Sequence, residues 1–221
     1  MIRILDIILS SFAIIILIPF MIPVVILLKF TGEHYIFYVQ ERVGKYGKIF
    51  KIIKFATMLK DSPNLPGGLY TNKNDKRLLP IGKIMRKAKI NELPQLINIL
   101  MGQMSIVGYR PTVQRQYNTY SEEVKHKIYK ARPGLTGIGS IVFRNEEEIL
   151  QKFEDKEDFH STVINPYKLL LEEWYIDNNN VTNYFKIIFI TVITVLNPDS
   201  KVWKKCFKDL PPIPSELINY I

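Results

Sequence analysis

Arg86, Arg110, Arg132 and Arg144 each stand beside a glycine, a proline or the expected end of a helix. A guanidinium grips phosphate through two parallel hydrogen bonds, so several of them around a helix N-terminus would make a diphosphate site. A suitable helix is at hand. Leu93, Leu96, Ile97, Leu100 and Met101 recur at helical spacing, and Gly102 closes the run. Pro94 falls in the first turn, where its missing N–H does little harm. That register predicts Asn91 as the N-cap and sets Glu92 beside it, at the positive end of the helix dipole, which favours anions. Taken singly, each arginine reads as an ordinary surface residue; the chemistry lies in the grouping.

Other elements must position these groups. YIFYVQ and KIFKIIKF, joined by a turn at Gly44–Gly47, predict a β-hairpin. Residues 59–76, rich in proline, glycine and asparagine, predict a loop. Ile81, Ile84, Met85 and Ala88 then mark one face of a helix, with Lys83, Arg86 and Lys87 elsewhere on its surface. After VGYRPT, residues 113–130 predict a polar helix, and ARPGLTGIGSIVFR reads as turn and strand. Residues 145–158 are acidic and predict a solvated helical face, and helix resumes over Pro166–Asp177. Tyr184–Leu196 is strongly apolar but too short to span a bilayer; it reads either as a core helix or as a helix in the membrane interface. Pro211, Pro212 and Pro214 make the last stretch irregular.

A net charge of +9 and a pI near 9.4 call for an anionic partner: nucleic acid, acidic lipid or a phosphorylated small molecule. Nucleic acid falls away, because the aromatic residues sit in apolar periodic segments and no nucleic-acid motif is present. The single cysteine, Cys206, excludes an internal disulfide framework, and His34, His126 and His160 lack the spacing of a zinc site. From Ile7 to Leu28 the only polar side chains are Ser10 and Ser11, a run long enough to cross a hydrocarbon core of about 20 helical residues. Pro19 and Pro23 each remove a backbone donor and predict a bend near its middle. Two readings follow: a re-entrant helix broken at Pro19, or a full span. Lys29, Lys45, Lys48, Lys51 and Lys54 follow the segment and only Arg3 precedes it, which makes the following chain cytoplasmic. Asp6 stands at helical ion-pair spacing from Arg3.

The motifs together, RILD, VQERVG, KIFKIIKFATM, NDKRLLPIGKIMRK, NELPQLINILMGQMSIVGYRP and RPGLTG followed by Arg144, resemble the monotopic phosphoglycosyl transferases, the bacterial sugar transferases that prime glycoconjugate assembly. The likeness runs from Arg3 to about Leu196. It implies an α+β monotopic membrane protein with a Pro-kinked re-entrant helix, amphipathic interfacial helices and a small β-sheet. Residues 1–30 would form the membrane helix, 31–200 a cytoplasmic transferase domain and 201–221 an irregular, basic, proline-containing tail. The implied reaction is transfer of a sugar-1-phosphate from a UDP-sugar to polyprenyl (undecaprenyl) phosphate with Mg²⁺. It takes place at the cytoplasmic face of the bacterial inner membrane and starts synthesis of a polysaccharide, O-antigen or glycoprotein glycan. The partners implied are the UDP-sugar, the polyprenyl phosphate and membrane lipid, with homo- or hetero-oligomers left open. By the same resemblance the catalytic pair falls on Asn91 and Glu92, the metal on Glu92, phosphate contacts on Arg42, Lys54, Arg86, Arg110 and Arg144, and the helix break on Pro19.

The family carries an Asp-Glu dyad whose aspartate attacks the β-phosphorus; here the pair reads Asn91-Glu92. An amide is neutral and a poor nucleophile, although asparagine caps helices as well as aspartate does. GDMS becomes GQMS, GPRP becomes GYRP, the glutamine expected after RPGxTG is Ser140, and the acidic stretch from Asn145 looks inserted. Three readings stay open: direct attack by the polyprenyl phosphate while Glu92 helps hold Mg²⁺, Glu92 itself as nucleophile, or a catalytically impaired homologue that binds or assembles with an active transferase.

Overall fold

The computed structural model describes residues 1–62, 64–65 and 75–221; residues 63 and 66–74, within the expected 59–76 loop, lie outside it. The first element, α1 (Ile2–Phe30), is helical through both Pro19 and Pro23 and is long and apolar enough to cross a bilayer. One flank of it packs on the body throughout: Leu5 and Leu9 against the main core, Leu17 against a cluster of Phe50, Ile52, Leu96 and Ile99, and Val24 and Leu28 against a smaller cluster around Phe55 and Leu79. At 1.5 Å per residue those contacts extend over roughly 35 Å. The other flank leaves Ile8, Phe12, Ile15 and Phe20 exposed.

The expected Arg3–Asp6 ion pair does not form. Arg3 donates instead to the carbonyls of Ile99 and Leu100, at 2.6 and 2.9 Å. The buried Asp6 carboxylate accepts from Ser105 Oγ, the Ile106 N–H and Tyr184 Oη. Long-range partners win because both charged groups lie against the body, where unmet carbonyls and N–H groups compete for them.

Strands β1 (Phe37–Val43) and β2 (Ile49–Phe55) form the expected antiparallel hairpin, in register from Phe37↔Phe55 to Val43↔Ile49. In the connecting turn Tyr46 and Gly47 both take positive φ. Helix α2 (Gly82–Lys87) follows, buries Met85 and leaves Ile84 exposed. A 3₁₀ turn at Ile90–Glu92 leads into α3 (Gln95–Leu100), whose N-cap is Pro94 with no side-chain capping bond. Asn91 is therefore not the helix cap that periodicity predicts. It lies inside the 3₁₀ turn with its side chain buried, because the chain leaves α2 through a left-handed residue, Lys89, and the α-helical ladder begins only after Pro94.

Strand β3 (Ser105–Val107) pairs in parallel with β4 (Gly134–Thr136), Ser105 opposite Gly134 and Val107 opposite Thr136. Their backbones approach so closely at Gly108 and Gly134 that a Cβ on Gly134 would stand 2.1 Å from the Gly108 nitrogen. The polar stretch between them folds as two short helices, α4 (Gln114–Asn118) and α5 (Glu122–Ile128). The strand expected after RPGLTG stops at Thr136, and α6 (Ile138–Val142) takes over. Its Ile138, Ile141 and Val142 are buried, and helical packing overrides the β preference of those side chains.

The acidic stretch carries α7 (Glu146–Leu150) and α8 (Lys156–Phe159), which a π-helical segment joins to α9 (Asn165–Asp177). Helix α10 (Val181–Leu196) packs one face of its apolar run on the core and leaves the other exposed. Tyr184, Ile187, Ile190 and Thr194 face the core, while Phe185, Phe189, Val192 and Leu196 are exposed. The final segment is less irregular than its prolines suggest: α11 (Val202–Cys206) and a 3₁₀ turn at Ser215–Leu217 bury Trp203, Phe207, Leu217 and Ile221 in the main core beside Tyr167, Leu171 and Ile187.

Candidate active site

The hairpin, the turn before α3 and the loop after β3 converge on one narrow cleft. Arg42 of β1, Lys54 of β2, Glu92, Gln95 and Arg110 line it, with Pro111, Gly134 and Leu135 closing its wall. Period-2 alternation along β2 sends Lys54 to the same side as buried Ile52 and Phe50, toward α3. There Lys54 Nζ meets Glu92 Oε1 at 3.3 Å, with both side chains mostly buried.

The electrostatics are dominated by positive charge. Burial pushes the Glu92 carboxyl up, but Lys54, Lys89, Arg110 and the Lys54 hydrogen bond outweigh it and hold the group near 2. Burial lowers the Lys54 ammonium to about 8, against the pull of Glu92. Burial, then Arg110, lowers Arg42 to about 10. Glu92 is thus an ionised carboxylate at neutral pH, surrounded by more cations than it can neutralise. Such a centre is suited to further negative charge.

The expected phosphate ligands divide. Arg42, Lys54 and Arg110 line the cleft with Glu92. Arg42 is anchored by hydrogen bonds to Gln40 Oε1 and the Pro111 carbonyl, and its buried Nε has no partner among the described residues. Arg144 stands behind them, donating to the Lys87 carbonyl at the end of α2 and to that of Thr194, within the field of Glu92. Arg86 is drawn away, to Glu147 at 3.1 Å and the Met58 sulfur. Arg132 is outside the cleft and donates Nε to the Gly102 carbonyl at the far end of α3.

Asn91 precedes Glu92 in the 3₁₀ turn but is not among the residues that line the cleft; it is 9% exposed, and its side-chain oxygen has no hydrogen-bond partner among the described residues. A buried oxygen left unmet costs roughly 1–3 kcal/mol and is fit to receive a cation or a donor. The described residues hold no group of three acidic, histidine or cysteine ligands. Mg²⁺ does not need one, since it commonly takes one or two carboxylates and completes its shell with substrate phosphate and water. Glu92 and the Asn91 oxygen fit that donor set.

Two residues escape sequence reasoning. Lys89 occupies the left-handed position just beyond α2, at φ 59, where glycine is the usual choice. A lysine there costs about 1–2 kcal/mol of backbone strain and brings an ammonium into the field of Glu92. Only the backbone conformation reveals it. Glu172 of α9 is buried, within the field of Lys168 and Arg110. Burial raises that carboxyl to about 8, and Oε2 has no partner among the described residues. Its place in a helix with ordinary periodicity gave no signal.

Residues 1–198 match the family model described as bacterial sugar transferase. The chain is 34% identical over 211 residues to an uncharacterized sugar transferase of Haemophilus influenzae, covering 89% of this chain and 41% of that protein. It is 32% identical over 193 residues to the UDP-glucose:undecaprenyl-phosphate glucose-1-phosphate transferase of Klebsiella pneumoniae, covering 86% and 39% of the two chains. Over 176 residues it is 32% identical to the undecaprenyl-phosphate galactose phosphotransferase of Salmonella typhimurium, covering 73% and 33%. The chain therefore spans less than half the length of these three relatives.

Proposed function

This chain belongs to the bacterial sugar transferase family, and we propose that it transfers a sugar-1-phosphate from a UDP-sugar to undecaprenyl phosphate at the cytoplasmic face of the bacterial inner membrane. The observation that carries the reading is the Lys54–Glu92 pair, set among Arg42, Lys89 and Arg110 in a cleft with an excess of positive charge. In the proposed reaction an oxygen of the acceptor phosphate attacks the β-phosphorus of the UDP-sugar. The bond from that phosphorus to the bridging oxygen breaks, and UMP leaves with the electron pair. The sugar stays on its phosphorus, giving a polyprenyl diphosphate sugar.

Arg42, Lys54 and Arg110 bind and orient the diphosphate and offset the charge that develops on the departing UMP. Glu92 and the Asn91 oxygen would hold Mg²⁺, which when bound neutralises phosphate charge. Direct displacement is favoured over attack by Glu92, because a carboxylate held near 2 and paired with Lys54 is a weak nucleophile. The contacts of α1 with one body from Leu5 to Leu28 favour a helix with both ends on the same side of the membrane, the re-entrant arrangement, over a span. A second reading, a binding or assembly partner of an active transferase, has one observation in its favour: the amide of Asn91 where the family places its attacking carboxylate.

The test is extraction. The protein in nanodiscs, with undecaprenyl phosphate and Mg²⁺, should carry label from a UDP-sugar bearing ³²P at its β-phosphorus into the lipid phase for at least one sugar of a panel, without accumulating labelled protein. Labelled protein would point to Glu92 as nucleophile, and no transfer with any sugar would favour the partner role.

A further inference from the structure

At the opposite end of α3 from Glu92 lies a cavity of about 320 Å³ lined by Arg3, Lys45, Lys130 and Arg132. It shares no lining residue with the catalytic cleft. Glu92 and Gly102 are separated by about 15 Å of chain at helical rise, so one ligand headgroup does not fill both places. The volume is within the range of small-ligand sites.

The charge of this cavity is unbalanced. Among the described residues none of its four cations forms an ion pair with a carboxylate. The one acidic residue among its described lining is Asp6, whose Oδ1 accepts from Ser105, Ile106 and Tyr184, so four cations face a single carboxylate. Arg3 and Arg132 have a structural task, since they cap the last carbonyls of α3 and Gly102. Lys45 and Lys130 have no such task. Lys45 rests over the Tyr46 ring at 4.6 Å, and Lys130 is exposed. Two fixed guanidinium groups and two adaptable ammonium groups facing one space form a receptor for a polyvalent anion.

We propose that this cavity is a second phosphate site, distinct from the catalytic one, which takes a phosphate-bearing headgroup. Its location argues for a lipid: Arg3 stands at the start of α1, and the next turns of that helix expose Ile4, Ile8 and Phe12. A phosphodiester held by Arg3, Lys45, Lys130 and Arg132 would have its acyl chains beside those side chains. Soluble inorganic phosphate offers the same chemistry without the chains. The inference does not depend on the transfer reaction, and its test reads binding alone.

The experiment uses the full chain and a Lys45→Gln/Lys130→Gln double variant, which leaves both arginine caps in place. A Lys205→Gln/Lys208→Gln pair, exposed and elsewhere on the surface, removes the same charge as a control. One arm measures equilibrium dialysis of ³²P-labelled inorganic phosphate against protein in phosphatidylcholine nanodiscs. The other measures enrichment of phosphatidylglycerol around the protein in mixed phosphatidylcholine–phosphatidylglycerol nanodiscs. The expected result is phosphatidylglycerol enrichment that falls about tenfold in the cavity variant, equivalent to about 1.4 kcal/mol, and holds in the control. A tenfold loss confined to inorganic phosphate would keep the site and reassign its ligand to a soluble anion. Equal losses in both variants, or no binding of either probe by the unmodified chain, would overturn the proposal.

Discussion

Asp6, near the start of α1, and Tyr184, near the start of α10, meet in a buried hydrogen bond of 2.9 Å although 178 positions separate them in the chain. The same carboxylate takes the Ser105 hydroxyl and the Ile106 N–H, so one acid ties the apolar helix to β3 and to the core helix behind it. The base of the apolar helix is part of the fold that holds Arg110, three residues beyond the end of β3.

Asp6→Ala leaves three buried donors without an acceptor. The expected loss is about 3 kcal/mol or more, at roughly 1 kcal/mol for each unmet donor. Denaturant unfolding in detergent should show it, and Asp6→Asn, which keeps an acceptor, should lose less.

Lys54 gives the cleft a pH limit. Its ammonium is held down at about 8, below its ordinary value, so it is charged at neutral pH and loses its proton as pH rises through 8. Affinity for a UDP-sugar or UDP should fall above about pH 8. Lys54→Arg, which stays protonated there, should flatten that limb in a titration of Kd against pH.

Glu172 links pH to stability. Its carboxyl is raised to about 8 in the folded chain, so between about 4.5 and 8 the folded state holds a proton that the unfolded state has released. Stability from this group is therefore full below about 4.5 and is lost as pH rises through 8. Unfolding of Glu172→Gln should lack that decline. A slope unchanged by the substitution would remove Glu172 as its source.

The segment after Ser200 belongs to the core. Leu217→Ala, at a fully buried site, is expected to cost about 2–5 kcal/mol, and removal of residues 201–221 should leave an unfolded or aggregating chain. Thermal unfolding of both variants checks this.

Much of this architecture was legible in the residues, and the failures have physical causes. The hairpin was readable because Val, Ile, Tyr and Phe flank a glycine turn, and both effects act locally. Helix α9 was readable too, with Pro166 in its first turn, where a missing N–H does little harm. Periodicity found α3 but missed that the ladder starts after Pro94, because the left-handed Lys89 that redirects the chain has no signature in residue type. Arg3 and Asp6 looked like partners at helical spacing, yet each found groups about a hundred positions away. The motifs located Arg42, Lys54, Glu92 and Arg110, which the fold brings to one cleft. Arg86 went to Glu147, in a stretch where nothing in the sequence marks that contact. The core role of Trp203 and Leu217 was hidden by the prolines around them.

The most direct test of the account is UMP release from UDP-sugars with undecaprenyl phosphate and Mg²⁺, measured side by side for the unmodified chain, Glu92→Gln and Asn91→Asp. The account predicts release by the unmodified chain with at least one sugar and a fall of about 10²–10³-fold in Glu92→Gln, the loss typical of one preorganised electrostatic group. Silence of the unmodified chain with every sugar, together with activity gained in Asn91→Asp, would contradict it and make this chain a binding partner on an intact transferase fold.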